Sequence, residues 1–269
     1  MAGYKELKNL RNRVVVITGA SGGLGEQLAY QAASKGAIVV ACARRLDKLQ
    51  EVVANCRQIS GRLAFAYTLD VSDPNQIDRV LAEVETNVGP IDVLINNAGF
   101  GLMENLLQID EQTIESMFRV NILGLIYLSK YTALRMAKRH RGAIINVASM
   151  AGKMATPKST IYSATKFAVL GFSNALRLEL KPLGIMVTTV NPGPIATAFF
   201  EKADKTGNYL KSIDKIVLQP EMVAKKVIRT IGTNKREVNL PYSMEIASHL
   251  YNAFPTLGDY LAGGIFNKK

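Results

Sequence analysis

Residues 14–25 read Val14-Val15-Val16-Ile17-Thr18-Gly19-Ala20-Ser21-Gly22-Gly23-Leu24-Gly25. A short β-branched run ends in a glycine-rich turn, and a segment with helical periodicity follows over residues 25–35. Glycines permit a tight turn and let the backbone approach a pyrophosphate, while the helix N-terminus offers free N–H groups and partial positive charge. A glycine-rich turn by itself also serves plain turns. Its position between a first strand and a helix points to a bound nucleotide phosphate. The glycines fall at Gly19, Gly23 and Gly25, which is not the common G-x-G-x-x-G spacing.

Outward from that turn, similar runs recur at residues 37–41, 63–69, 91–96, 143–148 and 185–191, with a weaker one at 236–240. Each is nearly continuously apolar rather than alternating, as expected of strands buried on both faces of a parallel sheet. The segments between them, such as 74–87, 111–139 and 163–180, carry helical periodicity. This alternation predicts a single α/β domain over 1–269: a Rossmann-type, doubly wound parallel sheet of about seven strands with helices on both faces. No repeat, low-complexity tract or Pro/Ser-rich linker interrupts it.

Two parts break the rhythm. Residues 193–220 are too long for a routine strand–helix connection, and long connections of this kind are commonly lids or binding loops. The extension over 241–269 carries Met244, Ile246, Leu250, Tyr251, Phe254, Leu257, Leu261, Ile265 and Phe266. It can close over the site, pack on a neighbouring subunit or touch a membrane, and covering the core or a subunit is the expected reading. Membrane contact is the weaker reading, because the segment has no basic face of its own.

The composition is that of a globular protein: 269 residues, 48% hydrophobic and 20% charged, enough for a full core. No apolar run approaches the roughly 18 residues needed to span a bilayer. Residues 1–13 are too charged for a secretory signal, so a cytoplasmic location is expected. Cys42 and Cys56 make neither a disulfide framework nor a zinc-ligand spacing, and no metal is expected. Residues 1–134 hold 13 basic and 14 acidic side chains, and residues 135–269 hold 20 and 8. Such asymmetry fits an acidic ligand or an anionic surface, or simply a solvated basic face. Nucleic acid is not an expected partner, because no binding motif or aromatic–basic interleaving accompanies the charge.

The glycine spacing resembles that of the short-chain dehydrogenase/reductase family, and the resemblance extends over residues 13–235. Asp70-Val71 matches the pair that contacts the adenine. Asn96-Asn97-Ala98-Gly99 matches the motif at the end of the fourth strand, and Pro192-Gly193 with Ile195 and Thr197 matches the segment that embraces the nicotinamide. Asn121, Ser149, Tyr162 and Lys166 match the catalytic tetrad in order and spacing. Gly19, Ser21, Gly23, Leu24, Gly25, Arg44, Arg45, Asp70, Val71, Asn97, Ala98, Gly99, Tyr162, Lys166, Pro192, Gly193, Ile195 and Thr197 are thereby the expected cofactor-binding residues.

Elementary chemistry gives the tetrad its logic. Tyr162 and Lys166 stand four apart at the start of a predicted helix and share one face. A tyrosine with a pKa of about 10 is a poor acid or base at neutral pH. A nearby ammonium, and the positive charge of oxidised nicotinamide, favour the phenolate. The hydroxyl of Ser149, just past the fifth strand, can polarise a substrate carbonyl. By resemblance, Lys166 also holds the nicotinamide ribose, and Asn121 lies in a helix and positions a water between Lys166 and solvent. The implied reaction is hydride transfer between nicotinamide and a carbonyl or alcohol carbon, with Tyr162 exchanging the proton. Taken singly, the pair is also an ordinary helix-surface contact and the serine an ordinary cap.

The end of the second strand bears on the choice of cofactor. Dehydrogenases using NAD commonly place an acidic residue there to hold the ribose 2′-hydroxyl, whereas arginine accommodates a 2′-phosphate. Ala43 stands at the acidic position, followed by Arg44 and Arg45. NADP(H) is therefore expected in preference to NAD(H), unless the arginines only begin the next helix as solvated surface.

The substrate is expected to be a small carbonyl or alcohol compound, apolar in character. Phe100, Leu102, Met150, Met154, Ile195, Phe199 and Phe200 are the candidate pocket residues by family position; they can equally pack a lid onto its own core. Lys202, Lys205, Lys211 and Lys215 fall in the lid region and can attract a phosphorylated carrier. Arg135, Lys138, Arg139 and Arg141 lie near a predicted helix end, where cations complement the carbonyl dipole. His140, His249 and both cysteines are expected to be inert. Members of this family assemble through the helices holding Asn121 and Lys166, which implies a homodimer or homotetramer. Three alternatives stand beside a short-chain reductase: an epimerase or dehydratase, for which the chain is short; a catalytically silent NADP(H)-binding regulator, which typically lacks the tyrosine or lysine; and a peripheral membrane enzyme.

Overall fold

The computed structural model describes residues 3–203 and 216–264, with the side chain of Lys202 excepted. Its centre is one parallel sheet of seven strands: β1 (Val14–Thr18), β2 (Ile38–Ala43), β3 (Ala64–Thr68), β4 (Ile91–Asn96), β5 (Gly142–Val147), β6 (Ile185–Pro192) and β7 (Glu237–Leu240). The spatial order is β3-β2-β1-β4-β5-β6-β7. The order reverses between β1 and β4, and ligands of such sheets bind outside the C-terminal strand ends at that point. The sequence places β1 and β4 at their observed bounds and the other five strands within two residues of theirs.

Alternate side chains of the central strands feed two cores. Val15, Ile17, Val93 and Ile95 pack with Leu28, Leu49, Val52, Val223 and Val227 on one face. These last come from α1 (Gly23–Ala33), α2 (Leu46–Ser60) and α8 (Pro220–Ile228). Val14, Val16 and Leu94 pack with Ile77, Leu81, Leu128, Met136 and Leu176 on the other. That layer is α3 (Pro74–Asn87), α5 (Leu125–Ala137) and α6 (Thr160–Leu180). Burial on both faces accounts for the continuous apolar runs.

Local chemistry sets the helix starts. Asp73 accepts hydrogen bonds from the N–H groups of Asn75 and Gln76 at 2.9 and 3.1 Å, with Pro74 in the first turn of α3. Asp110 accepts from the Thr113 N–H at 2.7 Å and caps α4 (Glu111–Phe118). The periodic segment 111–139 is not one α-helix. A π-helical turn, Arg119–Gly124, separates α4 from α5. A side chain at Gly124 would collide with the carbonyl oxygen of Val71, so the turn presses directly on the β3–α3 loop. Such turns occur disproportionately at functional sites.

The three arginines of the basic cluster 135–141 have acidic partners. Arg135 pairs with Asp78 and Glu85, Arg139 with Glu85, and Arg141 with Glu6 and the buried Asp92. Asp92 also accepts the Val14 N–H at 3.1 Å and so ties β4 to β1.

Past β6, the short helix α7 (Phe199–Ala203) interrupts the expected long connection, and a parallel bridge joins Ile195 to Leu218. Lys205, Lys211 and Lys215 lie outside the described residues, as do Ile265 and Phe266. The extension forms α9 (Tyr242–Ala253) and α10 (Pro255–Gly263). Little of its described length covers the chain's own core. Ser248 is the one residue of the two helices that is buried, while Ile246, Leu250, Phe254 and Leu257 are exposed. Among the described residues no helix is long and apolar enough to cross a membrane.

Candidate active site

A cleft of about 930 Å³ opens at the C-terminal ends of the strands. Its walls contain every expected cofactor-binding residue, from Gly19 through Arg44, Asp70 and Gly99 to Thr197, together with Ser149, Tyr162 and Lys166.

One end is built on the glycine turn. Gly19 has φ +65°, in the left-handed region, and a Cβ there would stand 2.9 Å from the Ala98 Cα. A side chain at Gly25 would strike the Gly19 carbonyl, so both positions leave room only for glycine. The loop after β4 is stitched to this turn. Thr18 Oγ1 accepts the N–H groups of Asn97 and Ala98, both at 3.1 Å, and Asn97 Nδ2 donates to the Thr18 carbonyl at 3.0 Å. Thr197 stands against the turn from the other side, with its Cγ2 3.2 Å from where a Gly23 Cβ would be.

Arg45 folds back over the turn. Its Nη2 donates to the Ser21 carbonyl and to Ser21 Oγ, each at 3.1 Å. It thus stands beside Gly22, within the glycine turn. Arg44 lies on the adjoining wall and acts on Asp70. Burial works against the Asp70 charge, but the Ser72 N–H at 2.9 Å, the Ser72 hydroxyl at 2.7 Å and the Arg44 guanidinium outweigh it, holding the carboxyl below its usual range. Cys42 is not on this wall: it faces the buried core beneath, and burial pushes its thiol up to about 12, as it does for Cys56.

At the other end, the first two turns of α6 carry Tyr162 and Lys166, both buried. Lys166 Nζ donates to the Val147 carbonyl at 3.0 Å and lies 5.6 Å from the centre of the Tyr162 ring. Burial lowers its pKa to about 8, so the ammonium persists at neutral pH. The Tyr162 ring is held between Gly101 and Phe199, whose ring centre is 5.8 Å away. Ser149 accepts the Ala151 N–H at 3.1 Å and donates to the Pro192 carbonyl at a long 3.4 Å. A substrate oxygen can replace so weak a partner.

Asn121 is different. It sits in the π turn behind Phe100, almost wholly buried and off the cleft wall. Its Oδ1 accepts the Phe100 N–H at 3.0 Å, and its Nδ2 donates to the Phe100 carbonyl at 2.8 Å and to Thr165 Oγ1 at 3.1 Å. The side chain therefore fastens the β4 loop to α6 just behind Tyr162 and Lys166.

Phe100, Leu102, Met150, Met154, Ile195, Phe199 and Phe200 all line the cleft. So do Gly101, Met103, Arg119 and Val120, which the sequence reading did not single out, and Met244, which it named only as an apolar residue of the extension. Val120 was findable from its neighbour Asn121, whereas Met244 comes from the extension with no motif to mark it. Among the described residues no group of three His, Cys, Asp or Glu side chains is placed to hold a metal.

The geometry agrees with known proteins. A family model described as short chain dehydrogenase matches residues 13–208. The chain belongs to the short-chain dehydrogenase/reductase family of oxidoreductases. It is 34% identical over 242 residues to the mouse dehydrogenase/reductase SDR family member 7B, covering 86% of this chain and 74% of that one. It is 32% identical over 222 residues to the bovine 3-ketodihydrosphingosine reductase, covering 80% and 67%. Among solved structures, a short-chain dehydrogenase from Sphingobium yanoikuyae in complex with NADPH superposes with a TM-score of 0.79 at 29% identity, covering 91% of this chain and 94% of that one.

Proposed function

We propose that the protein is an NADP(H)-dependent dehydrogenase/reductase that interconverts a carbonyl compound and the corresponding secondary alcohol, with Tyr162 as general acid and base. The observation that carries this reading is the convergence of Tyr162, Lys166 and Ser149 at one end of a cleft whose other end is a glycine turn backed by two arginines. The names of the bovine reductase and of the NADPH complex of the Sphingobium enzyme support it.

The walls fit a dinucleotide. Gly19, Ser21, Gly23, Leu24 and Gly25 offer a backbone cradle at the start of α1 for the pyrophosphate. Asp70 and Val71 would hold the adenosine end, and Asn97, Ala98, Gly99, Pro192, Gly193, Ile195 and Thr197 the nicotinamide half. Arg45, with Arg44 beside it, would hold the 2′-phosphate, and no carboxylate stands at Ala43 to oppose it. When bound, the cofactor supplies or accepts the hydride.

The chain's own part is proton handling and orientation. Ser149 turns its hydroxyl from Pro192 to the substrate oxygen and polarises it. Tyr162 gives that oxygen a proton in reduction and takes it back in oxidation. Lys166, still charged at neutral pH and fixed by Val147, favours the phenolate that remains. Asn121 keeps the Phe100 loop and α6 in register so that these groups stay aligned.

An apolar ketone or alcohol suits the walls of Phe100, Leu102, Met150, Met154, Phe199 and Phe200. A cytoplasmic homodimer or homotetramer is the form we expect, joined through the outer faces of α5 and α6. Leu134 of α5 and Phe167 and Leu178 of α6 are exposed there. Loss of NADPH absorbance against a panel of aldehydes, ketones, diketones, quinones and 3-oxoacyl thioesters, with Tyr162→Phe as control, tests the reading. Turnover that vanishes in the variant is expected. Tight NADPH binding with no turnover across the panel would instead favour a silent regulator.

A further inference from the structure

The reactive end of the cleft has a wall that belongs to no family motif. The first turn of α9 delivers Met244 to the cleft, where its sulfur lies against the backbone of Gly193. A Cβ at position 193 would be 2.6 Å from that sulfur, so the thioether occupies the space the glycine leaves. Further along α9 come the buried Ser248 and the exposed Asn252, whose Nδ2 donates to the Lys153 carbonyl at 3.4 Å. Lys153 itself pairs with Glu237 of β7. The segment that α9 braces carries Met150 and Met154, also on the cleft wall. With Met103 from the β4 loop, four of the chain's nine methionines line this one cleft.

Thioether side chains are unbranched, polarizable and adaptable, and they suit ligands that are themselves flexible and apolar. We propose that α9 is part of the substrate site. Met244, Met150 and Met154 form a slot for an unbranched aliphatic chain attached to the reacting carbonyl, and Met244 is a specificity-determining residue that sets the chain length accepted. This rests on the assignment of Tyr162 and Ser149 to the carbonyl end.

The test separates the two claims. Straight-chain 2-alkanones of four, eight and twelve carbons are titrated calorimetrically into the Tyr162→Phe protein in saturating NADPH, and the same series is offered to the unmodified protein for turnover. Affinity is expected to rise by up to about fourfold per added CH2, the gain from burying a methylene. Met244→Trp is expected to weaken the twelve-carbon ketone at least tenfold and leave the four-carbon ketone within twofold. Met244→Ala should flatten the rise without narrowing the slot. Ile246→Ala, on the exposed side of the same helix, should change nothing. Affinity independent of chain length, or Met244→Trp acting alike on short and long ketones, overturns the slot even if turnover is normal. Chain-length-dependent binding that Met244→Trp curtails, with no turnover by the unmodified protein, upholds the slot and overturns the reductase reading.

Discussion

Replacing Gly101 with alanine perturbs Tyr162 without touching its chemistry. An alanine Cβ at 101 would stand 2.8 Å from Tyr162 Cδ2, 3.2 Å from Tyr162 Cε2 and 3.0 Å from Phe199 Cζ. Carbon–carbon contacts are comfortable at about 3.5–4.0 Å, so the Tyr162 ring must shift by roughly 0.7 Å or more. It cannot do so freely, because Phe199 flanks it and α7 is tied to the β4 loop by the Met103 N–H donating to the Ala203 carbonyl at 2.7 Å. Overpacking of this kind costs about 1–3 kcal/mol in stability. The larger effect is on the reaction, since a misplacement of about 1 Å can cost about 100-fold in rate. Gly101→Ala is therefore expected to lower kcat roughly 10- to 100-fold while the Kd for NADPH, read from nucleotide fluorescence, stays within about twofold. The glycine turn and the arginines that would hold the nucleotide are untouched. An unchanged kcat in a folded variant would refute the reasoning, and so would a kcat loss matched by an equal loss of NADPH affinity.

Two further perturbations address the charged groups. Arg45→Ala removes a guanidinium whose Nη2 already lies on Ser21; charge-assisted hydrogen bonds are worth about 1.5–3 kcal/mol, so KM for NADPH should rise roughly 10- to 100-fold while KM for NADH barely moves. Lys166 has a folded pKa lowered to about 8 from 10.5 by burial. The unfolded chain thus binds more protons between those values, and stability contributed by this group rises with pH across the window, by up to about 3 kcal/mol. Urea unfolding of the cofactor-free protein at stepped pH should show the unmodified protein gaining on Lys166→Met from pH 8 upward; parallel curves would contradict the burial argument.

Much of the fold was legible because parallel strands buried on both faces must be apolar throughout, and β1 with its glycine turn states the topology in twelve residues. The walls of the cofactor end were legible for a related reason: close backbone approach leaves only glycine at 19 and 25, so geometry is written as residue identity. Other parts were hidden by long-range contacts. Residues 111–139 have an unbroken helical pattern, and the π turn at Asn121 shows only once Gly124 is seen against Val71. The basic cluster 135–141 looks like surplus charge until Asp78, Glu85, Asp92 and Glu6 come to it from other elements. The extension was expected to cover the core or a subunit, with closure over the site as an alternative; it leaves Leu250, Phe254 and Leu257 exposed and places Met244 on the cleft wall. Periodicity marks an apolar face and is silent on what it meets. The amide bonds of Asn121 to Phe100 and Thr165 were equally hidden, since both partners come from distant parts of the chain.

The most direct measurement follows the transferred hydrogen. NADPH deuterated at the reactive ring carbon is supplied with the best ketone of the panel, and the alcohol product is examined by mass spectrometry, with Tyr162→Phe in parallel. Deuterium on the former carbonyl carbon, and none formed above background by the variant, is the expected result. Alcohol produced without deuterium, or produced equally well by Tyr162→Phe, would contradict hydride transfer assisted by Tyr162.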